Sequence, residues 1–126
     1  MPPFSSRMLP AAPDAGAPDG SEVRVMGILA GGSMAHFTLP AGETSRAVMH
    51  RTVEEIWFIL SGEGEMWRRQ GAEHEIAALA PGLSLTIPVG TRFQFRNTGT
   101  TPLTAIAITM PPWPGEGEAV FVDGVW

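Results

Sequence analysis

Few side chains in this protein are equipped to do chemistry. Its 126 residues include three histidines, thirteen acidic and eight basic side chains, no cysteine and no tyrosine. Every basic residue is arginine. Disulfides, thiolate nucleophiles and sulfur metal sites are therefore excluded, as are lysine Schiff bases and phenolic acids. The inventory reduces to His36, His50, His74, the carboxylates, the arginines and a few hydroxyls. Residues 50–67, HRTVEEIWFILSGEGEMW, stand apart within it. A histidine and a glutamate pair open an apolar run there. An imidazole and a carboxylate at the mouth of such a strand are the parts of a general acid–base pair, or two ligands of a metal site.

Those groups must be placed by strands. Side chains alternate along a strand, so Glu55, Trp57 and Ile59 share one face and Glu54, Ile56, Phe58 and Leu60 the other. Both faces are largely apolar, and both are expected to be buried. One face looks into a barrel; the other meets a second sheet or a second subunit, which predicts a homodimer. His50 and Glu55 are an odd number of residues apart, so one unbroken strand would point them in opposite directions. Convergence requires a turn or bulge at Thr52-Val53-Glu54.

The rest of the chain supports this plan. From Glu22 onward, apolar segments of strand length (EVRVMGIL, SMAHFTL, TSRAVMH, EIWFIL, GEMWRR, HEIAAL, LSLTI, RFQFR, PLTAIAIT) alternate with glycine and proline turns. No helical period competes. The pattern predicts an all-β antiparallel sandwich or barrel in a single domain. Residues 1–20 carry five prolines and two glycines and read as a flexible arm. Residues 21–110 form the barrel. Residues 111–126, PPWPGEGEAVFVDGVW, are a strap that packs on the barrel or across a dimer boundary, since their prolines exclude a central strand before Glu118.

The net charge of −5 argues against nucleic acid and anionic membranes as partners. There is no apolar run long enough for a membrane span and no secretory signal core. A cytoplasmic location is the expectation.

Two segments carry a family resemblance. Gly42, five residues, Val48-x-His50, four residues, Glu55, six residues and Gly62 make the first. Gly82, five residues, Pro88-x-Gly90, two residues, Phe93, three residues and Asn97 make the second. Together they resemble the two motifs of the cupins, over residues 22–110. The resemblance implies a jelly-roll β-barrel. It also implies a metal site of three histidines and one glutamate, of which only His50 and Glu55 remain here. Val48 stands at the first histidine position and Phe93 at the third. One imidazole and one carboxylate make a weak site for zinc, iron, nickel or manganese. No cofactor is expected, with a weakly held divalent transition metal as the alternative. His36 is expected on the barrel's exterior and His74 on an exposed edge.

The predicted pocket comprises Arg46, Val48, His50, Glu55, Trp57, Ile59, Phe93 and Phe95. Such an apolar, aromatic cavity suits a small organic ligand. Two roles stay open for His50 and Glu55. They act as general acid and base, with Arg46 gripping a substrate carboxylate or phosphate. Or they bond each other inside a packed barrel, and Arg46 is a solvated strand residue. The corresponding functions are a metal-independent small-molecule binder, a cupin-type lyase, isomerase or oxygenase, and an accessory protein with a filled barrel. Arg51, Arg68, Arg69 and Arg92 read as solvated, and Glu54 as outward-facing.

Overall fold

A computed structural model describes residues 3–126; the first two residues of the predicted arm lie outside the described residues. The described residues form eleven strands: β1 (Ala15–Gly16), β2 (Glu22–Leu29), β3 (Gly32–Leu39), β4 (Val48–His50), β5 (Glu54–Ser61), β6 (Gly64–Gln70), β7 (Glu73–Leu79), β8 (Ser84–Ile87), β9 (Arg92–Asn97), β10 (Leu103–Met110) and β11 (Ala119–Phe121). They pair antiparallel in two sheets, ordered β1-β2-β3-β10-β5-β8 and β11-β4-β9-β6-β7. This is an all-β jelly-roll barrel. Among the described residues no helix is long and apolar enough to cross a membrane.

The core lies between the sheets and follows from strand alternation. On β5, Glu55, Trp57 and Ile59 are buried, whereas Glu54, Ile56, Phe58 and Leu60 point outward. On β10, Leu103, Ala105, Ala107 and Thr109 face in. The small residues there serve a purpose. Ala107 lies between Trp57 and Ala35, and Ala105 between Ile59 and Phe37, across the two neighbouring strands. The rings of Phe37 and Trp57 stack over this low ground, with centroids 5.4 Å apart and planes 11° apart. Phe93 and Phe95 from the facing sheet meet Trp57 edge-on, a geometry that adds to the area each ring buries.

The outer face of β5 differs from expectation within one chain. No second sheet covers it, and Ile56, Phe58 and Leu60 remain 45%, 46% and 40% exposed. β5 is part of one sheet, and the other packs on the opposite, Trp57-bearing face.

Turn chemistry fixes the register. Gly62 has φ of +88°, a region that side chains rarely enter. Gly64 serves differently: it sits against β9, and a Cβ there would collide with the Arg96 carbonyl.

The terminal segments return to the barrel. Arg24 donates to the carbonyls of Pro10 and Ala11 (2.8 Å each), and Arg7 pairs with Asp14 at 2.8 Å. The two residues of β1 pair with Val23 and Glu22. At the other end, β11 adds to β4. The side chain of Gln94 accepts from the Val125 and Trp126 N–H groups, and the Arg96 guanidinium lies 4.3 Å from the Trp126 ring centroid. Gln94 is thereby buried on the outer face of β9.

Candidate functional site

The site is built by the turn between β4 and β5. β4 ends at His50, the chain bends through residues 51–53, and β5 begins at Glu54. Glu118, just before β11, holds this bend. Its carboxylate accepts from the Thr52 N–H (2.6 Å), the Thr52 hydroxyl (2.7 Å) and the Val53 N–H (2.8 Å). Its carbonyl accepts from the Arg51 N–H at 3.0 Å. Burial works against the Glu118 anion, but these donors outweigh it and its pKa lies below the usual carboxylate value.

Held this way, His50 and Glu55 point into the barrel together, 6% and 4% exposed. His50 Nδ1 and Glu55 Oε1 are 2.9 Å apart. The contact is close, but it lacks the alignment of a hydrogen bond. Glu55 Oε2 accepts from the indole N–H of Trp57 at 2.6 Å. Residues 55 and 57 share a strand face, so this bond comes directly from alternation. The His50 ring packs edge-on against Phe93 (5.3 Å) and Trp113 (4.9 Å).

A cavity of about 340 Å³ opens beside this pair. Val48, His50, Glu55, Trp57 and Phe93 line it, as do Phe37, Trp113 and Asp19. Three of the predicted pocket residues lie elsewhere. Ile59 and Phe95 belong to the closed core below. Arg46 does not line the cavity; its guanidinium sits 3.5 Å from the centroid of the Phe121 ring. The inward alternation does not extend back to it, because β4 begins only at Val48. Before it, Ser45 and Ala47 are the buried pair, with the Ser45 hydroxyl accepting from the Phe95 N–H at 3.0 Å.

His36 lies on the outer face of β3, in register with Arg24, and is nonetheless only 9% exposed. Burial, then the charge of Arg24, pushes its pKa down. His74 is exposed on the edge strand β7. Neither approaches the cavity lining.

Asp19 and Glu118 were not singled out from the sequence as site residues, and Trp113, expected in a strap packing on the outside of the barrel or across a dimer boundary, instead lines the cavity against His50. Asp19 belongs to the proline-rich arm, yet it is 7% exposed and lines the cavity. Its Oδ1 accepts from the Ser21 N–H (3.0 Å) and hydroxyl (2.6 Å), and its carbonyl accepts from the Arg46 N–H at 2.8 Å. Burial pushes its carboxyl up; the Ser21 bonds pull the other way, the Glu55 charge adds to the rise, and the net direction is upward.

The donor set is too small for a metal. Val48 and Phe93 are register partners across β4 and β9, so the two positions left vacant by histidine face the same cavity. Both are buried hydrocarbon. Both oxygens of Glu55 are already in contact with His50 and Trp57. Among the described residues no group of three or more His, Cys, Asp or Glu is arranged to hold a metal ion. The residues present do not fit a cupin metal.

Comparison with known proteins gives a consistent picture. The cupin domain profile matches residues 35–109. The chain is 31% identical over 88 residues to an uncharacterized protein of Methanocaldococcus jannaschii, covering 70% of this chain and 67% of that one. It is 30% identical over 83 residues to the xanthan biosynthesis protein XanB of Xanthomonas campestris pv. campestris, covering 66% of this chain but only 17% of that protein. In fold it is similar to the capsular polysaccharide assembling protein CapF of Staphylococcus aureus, with TM-score 0.75, 19% identity, and coverage of 86% of this chain and 33% of that one. It is also similar to a recombinant oxalate oxidase in complex with glycolate, with TM-score 0.75, 24% identity, and coverage of 94% and 62%.

Proposed function

The chain belongs to the cupin domain family, and from that footing we propose that it is a metal-independent small-molecule-binding protein whose ligand sits in the barrel pocket beside His50 and Glu55. One observation carries this reading. The barrel keeps a cavity of about 340 Å³, within the usual size of ligand sites, while the positions where the family binds its metal hold Val48 and Phe93. The space is walled by Phe37, Trp57, Phe93 and Trp113, so an organic group entering it would trade water for apolar surface.

A second reading is favoured by the 2.9 Å contact of His50 with Glu55 at the cavity wall. In it the pair moves a proton on a small organic or carbohydrate-derived substrate, in the manner of a lyase or isomerase. Two similar proteins carry names tied to xanthan biosynthesis and capsular polysaccharide assembly, which makes carbohydrate derivatives the first class to assay for turnover. An oxygenase would need a metal held by more donors than His50 and Glu55 supply.

The reading includes a homodimer formed through the exposed Ile56, Phe58 and Leu60 face, and a cytoplasmic setting. The test is elemental analysis of protein purified without chelators, together with thermal-shift titration of small organic molecules. Substoichiometric metal and a ligand-dependent rise in Tm are the expected results. A stoichiometric transition metal, lost in His50→Ala, overturns the binder reading.

A further inference from the structure

The cavity contains the parts of a charge-selective site. We infer that its ligand is a small organic cation, held by Asp19 through an ion pair and by the surrounding aromatic rings through their π faces; this rests on the pocket being a ligand site.

The acceptors at the cavity are unequally used. Glu55 is committed to the protein, one oxygen to the Trp57 indole and the other against His50. Both hydrogen bonds to the Asp19 carboxyl fall on Oδ1. Among the described residues Oδ2 has no hydrogen-bond partner, although Asp19 is 7% exposed and lines the cavity. Oδ2 keeps some accessible surface, so it is an acceptor free to meet a ligand, and one bearing a positive charge or an N–H would pair with it.

Acidic side chains outnumber basic ones on the walls. The titratable groups among the lining residues are Asp19, His50 and Glu55. No arginine lines the cavity, the chain has no lysine, and Arg46 is engaged with Phe121. A carboxylate or phosphate ligand would find no cation except the His50 imidazole, which Glu55 already faces. The His50–Glu55 pair carries no net charge when both are ionised and is negative when the imidazole is neutral. In neither state does it repel a cation as a whole.

The walls are rich in aromatic rings. Phe37, Trp57, Phe93 and Trp113 all contribute to the lining. Rings around a desolvated space attract a cation through their negative faces, and alkylated ammonium groups are the ligands that gain most from such an arrangement. Burial raises the Asp19 carboxyl, and an arriving cation favours its ionised form. Affinity should therefore rise with pH through the raised Asp19 carboxyl, with His50 and Glu55 as the other charged groups facing it.

The experiment uses three probes of nearly one shape: choline, its uncharged isostere 3,3-dimethylbutan-1-ol, and the anion 3,3-dimethylbutanoate. Each is titrated calorimetrically into the full chain near pH 7.5. Choline is expected to bind at least tenfold more tightly than the alcohol, with no binding of the anion. Asp19→Asn should abolish the preference while the alcohol binds as before, and Glu73→Gln on the exposed edge strand should change nothing. Equal or tighter binding of the alcohol or the anion, or a preference that survives Asp19→Asn, overturns the cation assignment and leaves the pocket reading intact. If none of the three binds, both fall.

Discussion

Removing the Glu118 carboxylate should unfasten the turn that brings His50 to Glu55. In Glu118→Ala three donors lose their acceptor. Val53 is fully buried, so its N–H is left without water, at a cost of about 2 kcal/mol. Thr52 is exposed, and its two donors recover water at a cost of about 0.5 kcal/mol each. The expected loss is about 3 kcal/mol. For a domain of this size that lowers Tm by about 12 °C, measurable by calorimetry or circular dichroism at pH 7. The pH dependence supplies a second check. The folded-state pKa of Glu118 lies below its ordinary value. Its stabilisation is thus fully present above the unfolded value of about 4.3 and is lost as pH falls through the lower folded value. The gap between wild type and Glu118→Ala should hold from pH 7 to about 5, then narrow below about 4. A Tm drop under about 3 °C at pH 7, or a gap that widens in acid, would refute the clamp.

Three further outcomes are expected. Val48→His with Phe93→His should rebuild a four-donor site, visible as a cobalt(II) absorption band at one equivalent that disappears when His50→Ala is added; a folded variant that takes up no metal means the two motifs are misaligned. Gly64→Ala should cost at least about 2 kcal/mol in urea unfolding, because a Cβ there meets the Arg96 carbonyl; a loss below about 0.5 kcal/mol would show that β6 and β9 separate easily. Phe58→Glu should halve the sedimentation mass if the exposed face of β5 joins two copies, and a wild-type chain that already sediments as a monomer removes that interface.

The strands and the meeting of His50 with Glu55 were legible because both follow from periodicity. A two-residue alternation assigns Trp57 to the same face as Glu55, and an odd spacing demands a turn. The Trp57 to Glu55 bond was available from the same rule. The error at Arg46 came from extending alternation past the first residue of β4. Asp19 and Glu118 were hidden for a different reason. Each acts far from its own place in the sequence, Glu118 on residues 65 and 66 positions away and Asp19 where the arm lands. Neither lies in a periodic segment, so nothing local marks them. The outer face of β5 shows the same limit: alternation assigns Ile56 and Phe58 to one side but does not say what covers it.

The indole of Trp57 donates to Glu55, and that of Trp113 rests edge-on against the His50 ring. Two of the four tryptophans are therefore wired to the ionisable pair. Excited indole is quenched by a nearby imidazolium and shifts its colour when its N–H changes partner. The protein's own ultraviolet emission should thus report the protonation of the site without any added label.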